Sequence, residues 1–190
     1  MRVRRGLARG LIRLAGWKSV GTVPPSGIMV GAPHTSNWDW VATVLLLWSH
    51  DVSPRVLIKQ DLFKGPLGMI LRATGGIPID RSNAVSVVSD LAARAAEDES
   101  FVIVLAAEGT RSHGEHWKSG FHRLARQTGL PVSFGYIDGP SKTVGMGPTL
   151  EMTDDIRADM DQIRAIYADK RGIRPEYRIE PRLREEDRPN

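Results

Sequence analysis

Phe101-Val-Ile-Val-Leu105 is an unbroken apolar run, rich in β-branched residues, that follows the charged stretch Glu97-Asp-Glu99. A run this short and this apolar reads as a strand covered on both faces, and such a strand needs helices above and below it. The signature recurs. Ile28-Met-Val-Gly-Ala32, Arg55-Val-Leu-Ile-Lys59, Gly75-Gly-Ile-Pro-Ile-Asp80 and the run beginning Leu130-Pro-Val-Ser-Phe134 also read as strands. Helical composition fills the gaps: Ser36 to about Ser49, Leu62 to Ala73 with a break at Gly65-Pro66, Ala84 to Glu97, and Gly120 to Gln127. Thr143 to Glu151 reads as a further strand pair. Asp155 to Lys170 reads as a long helix with acids early and bases late, as the helix dipole favours. Strands alternating with helices predict a single α/β domain with a largely parallel central β-sheet flanked by helices.

Three segments follow from this pattern. Residues 1–20 form a basic amphipathic helix, 21–170 the α/β domain, and 171–190 a charged, proline-bearing tail expected to fray. No Asp or Glu precedes Asp39, whereas Arg2, Arg4, Arg5, Arg9, Arg13 and Lys18 all do. Leu7, Leu11, Ile12 and Leu14 recur near helical spacing between these bases, and Trp17 follows. That pattern suits an anionic membrane surface or a docked helix; the plainer alternative is a helix packed on the domain with an arginine-rich outer face. No apolar run approaches the roughly 20 residues needed to span a bilayer. Arginines interrupt the N-terminal apolar residues, which makes them a poor secretory signal. The chain has no cysteine, so disulfides, thiolate metal sites and a cysteine nucleophile are excluded, and a reducing compartment fits.

Ligands in parallel α/β sheets sit at the carboxyl ends of strands, and His34, Arg81 and Glu108 each follow a predicted strand directly. In His34-Thr-Ser-Asn-Trp-Asp39 an imidazole and a carboxylate stand five positions apart across a strand-to-helix junction. An alcohol must lose a proton as it attacks an acyl carbon, and imidazole titrates in the range that suits this task. Asp39 is placed to fix the imidazole tautomer, as the acid of a hydrolytic triad does. The same residues match a helix capping box, Ser36-x-x-Asp39, in which Asp39 merely completes the helix start. The second candidate cluster is anionic in its preference. Arg81 and Arg111 offer planar guanidinium forks that match phosphate oxygens, Gly109 permits close backbone approach, Thr110 and Ser112 add hydroxyls, and Glu108 can orient an arginine or accept from a ligand hydroxyl. The alternative there is a turn with an internal Glu–Arg pair. His113-x-x-His116 with Glu115 could coordinate a metal, but the spacing is loose and the loop polar, and no metal is expected.

Pro33-His34-Thr-Ser-Asn-Trp-Asp39, Gly75-Gly-Ile-Pro-Ile-Asp-Arg81, Glu108-Gly-Thr-Arg-Ser112 and Leu130-Pro-Val132 together resemble, in order and spacing, the four blocks of the glycerolipid acyltransferases. The nearest type is the lysophosphatidic acid (1-acylglycerol-3-phosphate) acyltransferase, and the likeness spans about Gly27 to Tyr136. The resemblance implies direct transfer of a fatty acyl group from an acyl-CoA or acyl-carrier-protein thioester to a lysophospholipid hydroxyl, with no further cofactor. His34 would be the base and Asp39 its orienter. Arg81, Glu108, Gly109, Thr110 and Arg111 would hold the acceptor. Implied partners are the thioester, the acceptor lipid, acyl carrier protein and the membrane surface, with a cytoplasmic, peripheral location at the inner face. Three positions depart from the usual blocks: Pro33 replaces a frequent asparagine, Ala106-Ala107 a Phe-Pro pair, and Phe134-Gly135 occupies the place of a second proline. The rival readings are a non-catalytic lipid-surface protein keeping this fold, a hydrolase using the same histidine, and a nucleic-acid binder suggested only by the pI of about 9.7 and the basic N-terminus. The last is not expected, because no aromatic–basic RNA motif supports it.

Overall fold

The computed structural model describes residues 2–79, 93, 102–109 and 114–187. The predicted helix over 84–97 lies outside them.

Among the described residues the sheet has seven strands: β1 (Lys18–Val20), β2 (Gly27–Ala32), β3 (Pro54–Lys59), β4 (Gly76–Ile79), β5 (Val102–Leu105), β6 (Val132–Asp138) and β7 (Thr143–Leu150). Their order across the sheet is β1-β7-β6-β2-β5-β3-β4. Only the β6–β7 pair is antiparallel; the other neighbours are parallel. The helices are α1 (Arg2–Leu14), α2 (Trp38–Ser49), α3 (Gly65–Ala73), α4 (Gly120–Thr128) and α5 (Ile156–Tyr167). The short edge strand β1 escaped the sequence pattern because its Lys-Ser-Val is exposed throughout and carries no apolar alternation. Gly65-Pro66 does not break a helix but starts one, with Pro in the first turn, where its missing N–H and fixed φ are tolerated.

Strand β2 is the middle of this layer, with β5 on one side and β6 on the other. Alternate residues point to opposite faces, so Ile28, Val30 and Ala32 join one core and Met29 the other. The first core is completed by Phe121 and Leu124 of α4 and by Met160, Ile163 and Tyr167 of α5; the second is completed by Leu46 and Leu47 of α2. The result is helix, sheet, helix, with β2 sealed between them.

Two expectations are corrected. Helix α1 packs on the domain through Ala8 and Ile12, yet Arg4, Arg5 and Arg9 turn toward the C-terminal end of α2 instead of forming an outer face. Arg5 pairs with Asp51 at 2.8 Å, Arg9 donates to the Ser49 carbonyl at 3.1 Å, and the Arg4 guanidinium lies 5.6 Å from the Trp48 ring centre. The C-terminal end of α2 attracts them because its terminal carbonyls and Asp51 concentrate negative charge there. Val3, Leu7, Leu11 and Leu14 are left facing outward, with Val3 and Leu14 about 85% and 86% exposed. Second, the segment after α5 does not fray as far as Asp187. Leu183 is fully buried in the first core, Trp117 donates its backbone N–H to the Arg182 carbonyl at 2.7 Å, and Arg164 pairs with Glu186 at 2.8 Å. The tail's charges mask two apolar anchors, Ile179 and Leu183, which dock it.

Leu183→Ala should therefore cost about 2–5 kcal/mol of stability by opening a cavity in the core. Urea denaturation followed by circular dichroism checks this; a loss below about 0.5 kcal/mol would mean the segment is not part of the cooperative unit.

Candidate active site

The sheet ends at Ala32, and Pro33-His34-Thr35-Ser36 carries the chain from β2 to α2. His34 keeps 20% of its side chain exposed while Asp39 in the first turn of α2 keeps 6%, and His34 Nδ1 lies 3.2 Å from Asp39 Oδ2. The same oxygen accepts the Ser36 backbone N–H at 2.7 Å, and Ser36 Oγ accepts the Trp38 N–H at 3.2 Å. The capping and orienting readings of Asp39 are therefore not rivals, because one carboxylate oxygen does both. The helix starts at Trp38 rather than Ser36, since Ser36 and Asn37 form the turn that turns Asp39 back toward the histidine. A carboxylate at Nδ1 favours the tautomer with its proton there, which makes Nε2 the basic nitrogen.

Glu108 lies just beyond β5 and is 1% exposed. Its Oε1 accepts the His34 backbone N–H at 3.0 Å, so it grips the chain at the end of the neighbouring strand β2. Its Oε2 is buried without a hydrogen-bond partner among the described residues, as is Asp39 Oδ1. Burial pushes the Glu108 carboxyl up to about 7; the Asp39 carboxylate adds to this, while the His34 N–H and the Arg178 guanidinium oppose it. Two carboxylates thus converge on the histidine, one through its ring and one through its backbone.

Gly109 takes the left-handed φ of +69°, and a Cβ there would stand 3.1 Å from the Lys118 stem. The methylenes of Lys118 occupy the space that a side chain would need. Arg81, Thr110 and Arg111, predicted to hold the acceptor, lie outside the described residues, as do Ser112 and His113. His116 pairs with Asp187 at 3.1 Å.

The sequence pattern missed the residues that brace the histidine loop from behind. Thr35 is 2% exposed, and its Oγ1 accepts the Arg174 backbone N–H at 3.1 Å. Gly172 presses against Thr35 so closely that a Cβ would come within 2.7 Å of Oγ1. Tyr167 donates to the Val30 and Gly135 carbonyls at 3.2 and 2.9 Å, and burial together with the Glu108 charge drives its phenol well above the ordinary range. Nothing local to Thr35 signals these partners, which lie more than 130 residues away for Arg174.

The acyltransferase family model matches residues 20–134, more than half of the chain and inclusive of both His34 and Glu108. This chain belongs to the acyltransferase family. The acyltransferase also shares its fold with the crystal structure of the 1-acyl-sn-glycerophosphate (LPA) acyltransferase PlsC from Thermotoga maritima, with a TM-score of 0.58 at 16% identity over 88% of this chain and 78% of that one. No match is found among curated proteins. The predicted α/β class and the resemblance stated from the four blocks both stand, and the protein is an enzyme that transfers acyl groups.

Because folding raises the Glu108 pKa, the native acyltransferase holds a proton that the unfolded chain releases. The stability this contributes is complete below the carboxyl's ordinary value of 4.5 and is lost as pH rises through about 7. From that difference the loss amounts to at most about 3 kcal/mol. Glu108→Gln stays uncharged and should flatten this slope; urea melts across that pH range read it, and an unchanged slope in the variant would show that another group is responsible.

Proposed function

We propose that this acyltransferase moves a fatty acyl group from an acyl-CoA or acyl-carrier-protein thioester to the free hydroxyl of a lysophospholipid such as 1-acylglycerol-3-phosphate. The observation that carries the reading is the His34 Nδ1–Asp39 contact at 3.2 Å on a partly exposed ring at the end of the central strand. In this mechanism Nε2 takes the hydroxyl proton as the alcohol oxygen attacks the thioester carbonyl carbon. Collapse of the tetrahedral intermediate breaks the C–S bond, and the imidazolium returns the proton to the leaving thiolate. Asp39 stabilises the imidazolium between the two steps. Direct transfer agrees with a chain that has no cysteine to carry an acyl group. Arg81 and Arg111 serve as the phosphate holders, on the pattern of their sequence blocks and the donor geometry of guanidinium. The structural relative's printed substrate supports the choice of acceptor.

His34→Ala should lower acceptor-dependent thiol release from acyl-CoA by about 10²–10⁴ or more, with an unchanged circular dichroism spectrum. Normal turnover by that variant would remove His34 as the base. Binding to lipid vesicles without turnover by the wild-type protein would point instead to a non-catalytic lipid-surface protein, and thiol release without any acceptor to a hydrolase.

The site works at a bilayer surface from the cytoplasmic side, held there by the outer face of α1. Positions 3, 7, 11 and 14 fall on one side of a 3.6-residue helix, and all four are exposed apolar side chains. Among the described residues no helix is long and apolar enough to cross a membrane. A face of this kind lies in the interface instead. Leu7→Glu with Leu14→Glu should weaken sedimentation with vesicles by about tenfold or more, since each leucine exchanges apolar burial for a charge. Undiminished sedimentation would place the membrane contact elsewhere.

A further inference from the structure

A cavity opens at the end of α2 opposite His34. It has a volume of about 410 Å³, and its lining includes Arg9, Ile12 and Arg13 of α1, Trp17, Lys18 of β1 and His50. That volume falls within the range of small-molecule sites. His34 precedes α2 and His50 follows it, so a helix of 12 residues, about 18 Å long, separates them.

The charge of this cleft is one-sided. Arg9 and Arg13 stand one helical turn apart and face it together, Lys18 comes from the edge strand, and no carboxylate lines it. The contrast with the preceding turn of the same helix is informative. Arg5 is neutralised by Asp51 at 2.8 Å, and Arg4 is shared between Ser53 and the Trp48 ring. Among the described residues Arg9 finds a backbone carbonyl but no counter-charge. His50 registers the imbalance: burial and then the Arg9 charge hold its pKa below the ordinary imidazole value. A neutral His50 still offers an N–H donor. Three cations gathered round a half-enclosed space, with an aromatic ring beside them, are stabilised by an anion with several acceptor oxygens.

We propose that this cleft is a second anion site, separate from the acyl-transfer site, that takes a phosphate group. Arg9, Arg13 and Lys18 supply the charge, and Trp17 with Ile12 supplies an apolar wall. Arg13 is followed directly by Leu14 on the outward apolar face, so the rim of the cleft adjoins the surface of α1 that the membrane reading uses. That adjacency favours a phosphate carried by a lipid headgroup over one free in solution. The cleft itself does not depend on the catalytic reading, and His34→Ala should bind as the wild type does.

The test uses the full chain with two probes: inorganic pyrophosphate in solution, and phosphatidylcholine vesicles with and without phosphatidylglycerol. Arg13→Ala with Lys18→Ala, both at exposed positions, is compared with Arg123→Ala and Arg184→Ala, which change net charge equally on other elements. The first pair should weaken binding by about tenfold or more, as expected for two lost charge-assisted hydrogen bonds, and the second pair by much less. A loss confined to the phosphatidylglycerol vesicles assigns the site to headgroups; a loss confined to pyrophosphate assigns it to free phosphates. The proposal is overturned if wild type binds neither probe, if the cleft variant binds both as wild type does, or if the control pair loses as much.

Discussion

A buried carboxylate accepting a backbone N–H is the contact on which the site depends. Glu108 Oε1 holds the His34 amide across 74 positions of sequence, and so locks the exit of β5 to the exit of β2. Sheet hydrogen bonding aligns the two strands only as far as their last paired residues. Beyond that point the chain is a turn with no ladder, and the Glu108 bond takes over the task of register. The cost is visible in the carboxyl itself, which burial has moved up to about 7 and whose second oxygen lacks a hydrogen-bond partner among the described residues. A group tolerated at that cost is one the fold has reason to keep.

Asp39 shows the same economy at the other side of the histidine. Its Oδ2 closes the start of α2 and faces the imidazole at once, so helix initiation and ring orientation are not separable properties. Any movement of the helix start moves the histidine with it. The fold has placed the imidazole at the exit of the central strand, between two acids that differ in role: one acts on the ring, the other on its backbone.

Strands β2, β5 and β6 were legible because each is a short, largely buried run, and β2, β3 and β4 agree with their sequence boundaries to within a residue or so. The His34–Asp39 pair was legible for a similar reason, since both members lie within one junction. Less local arrangements were not. Helical spacing reveals that α1 is amphipathic but not which face turns inward; that was decided by Asp51, Trp48 and the carbonyl end of α2, which offered the arginines partners. The bond from the His34 amide to Glu108 was not legible, because a motif gives residue order without direction. The tail was read as loose because charge and proline dominate its composition, while Ile179 and Leu183 anchor it.

That anchored tail has a consequence in time as well as in space. Gly172 and Arg174 seat Thr35 from behind, and they are synthesised after every strand of the sheet. A ribosome that has delivered the complete sheet has still not delivered the brace behind the histidine loop. The loop that carries His34 therefore gains its brace only after the described strands have all been made, although the loop itself is made far earlier.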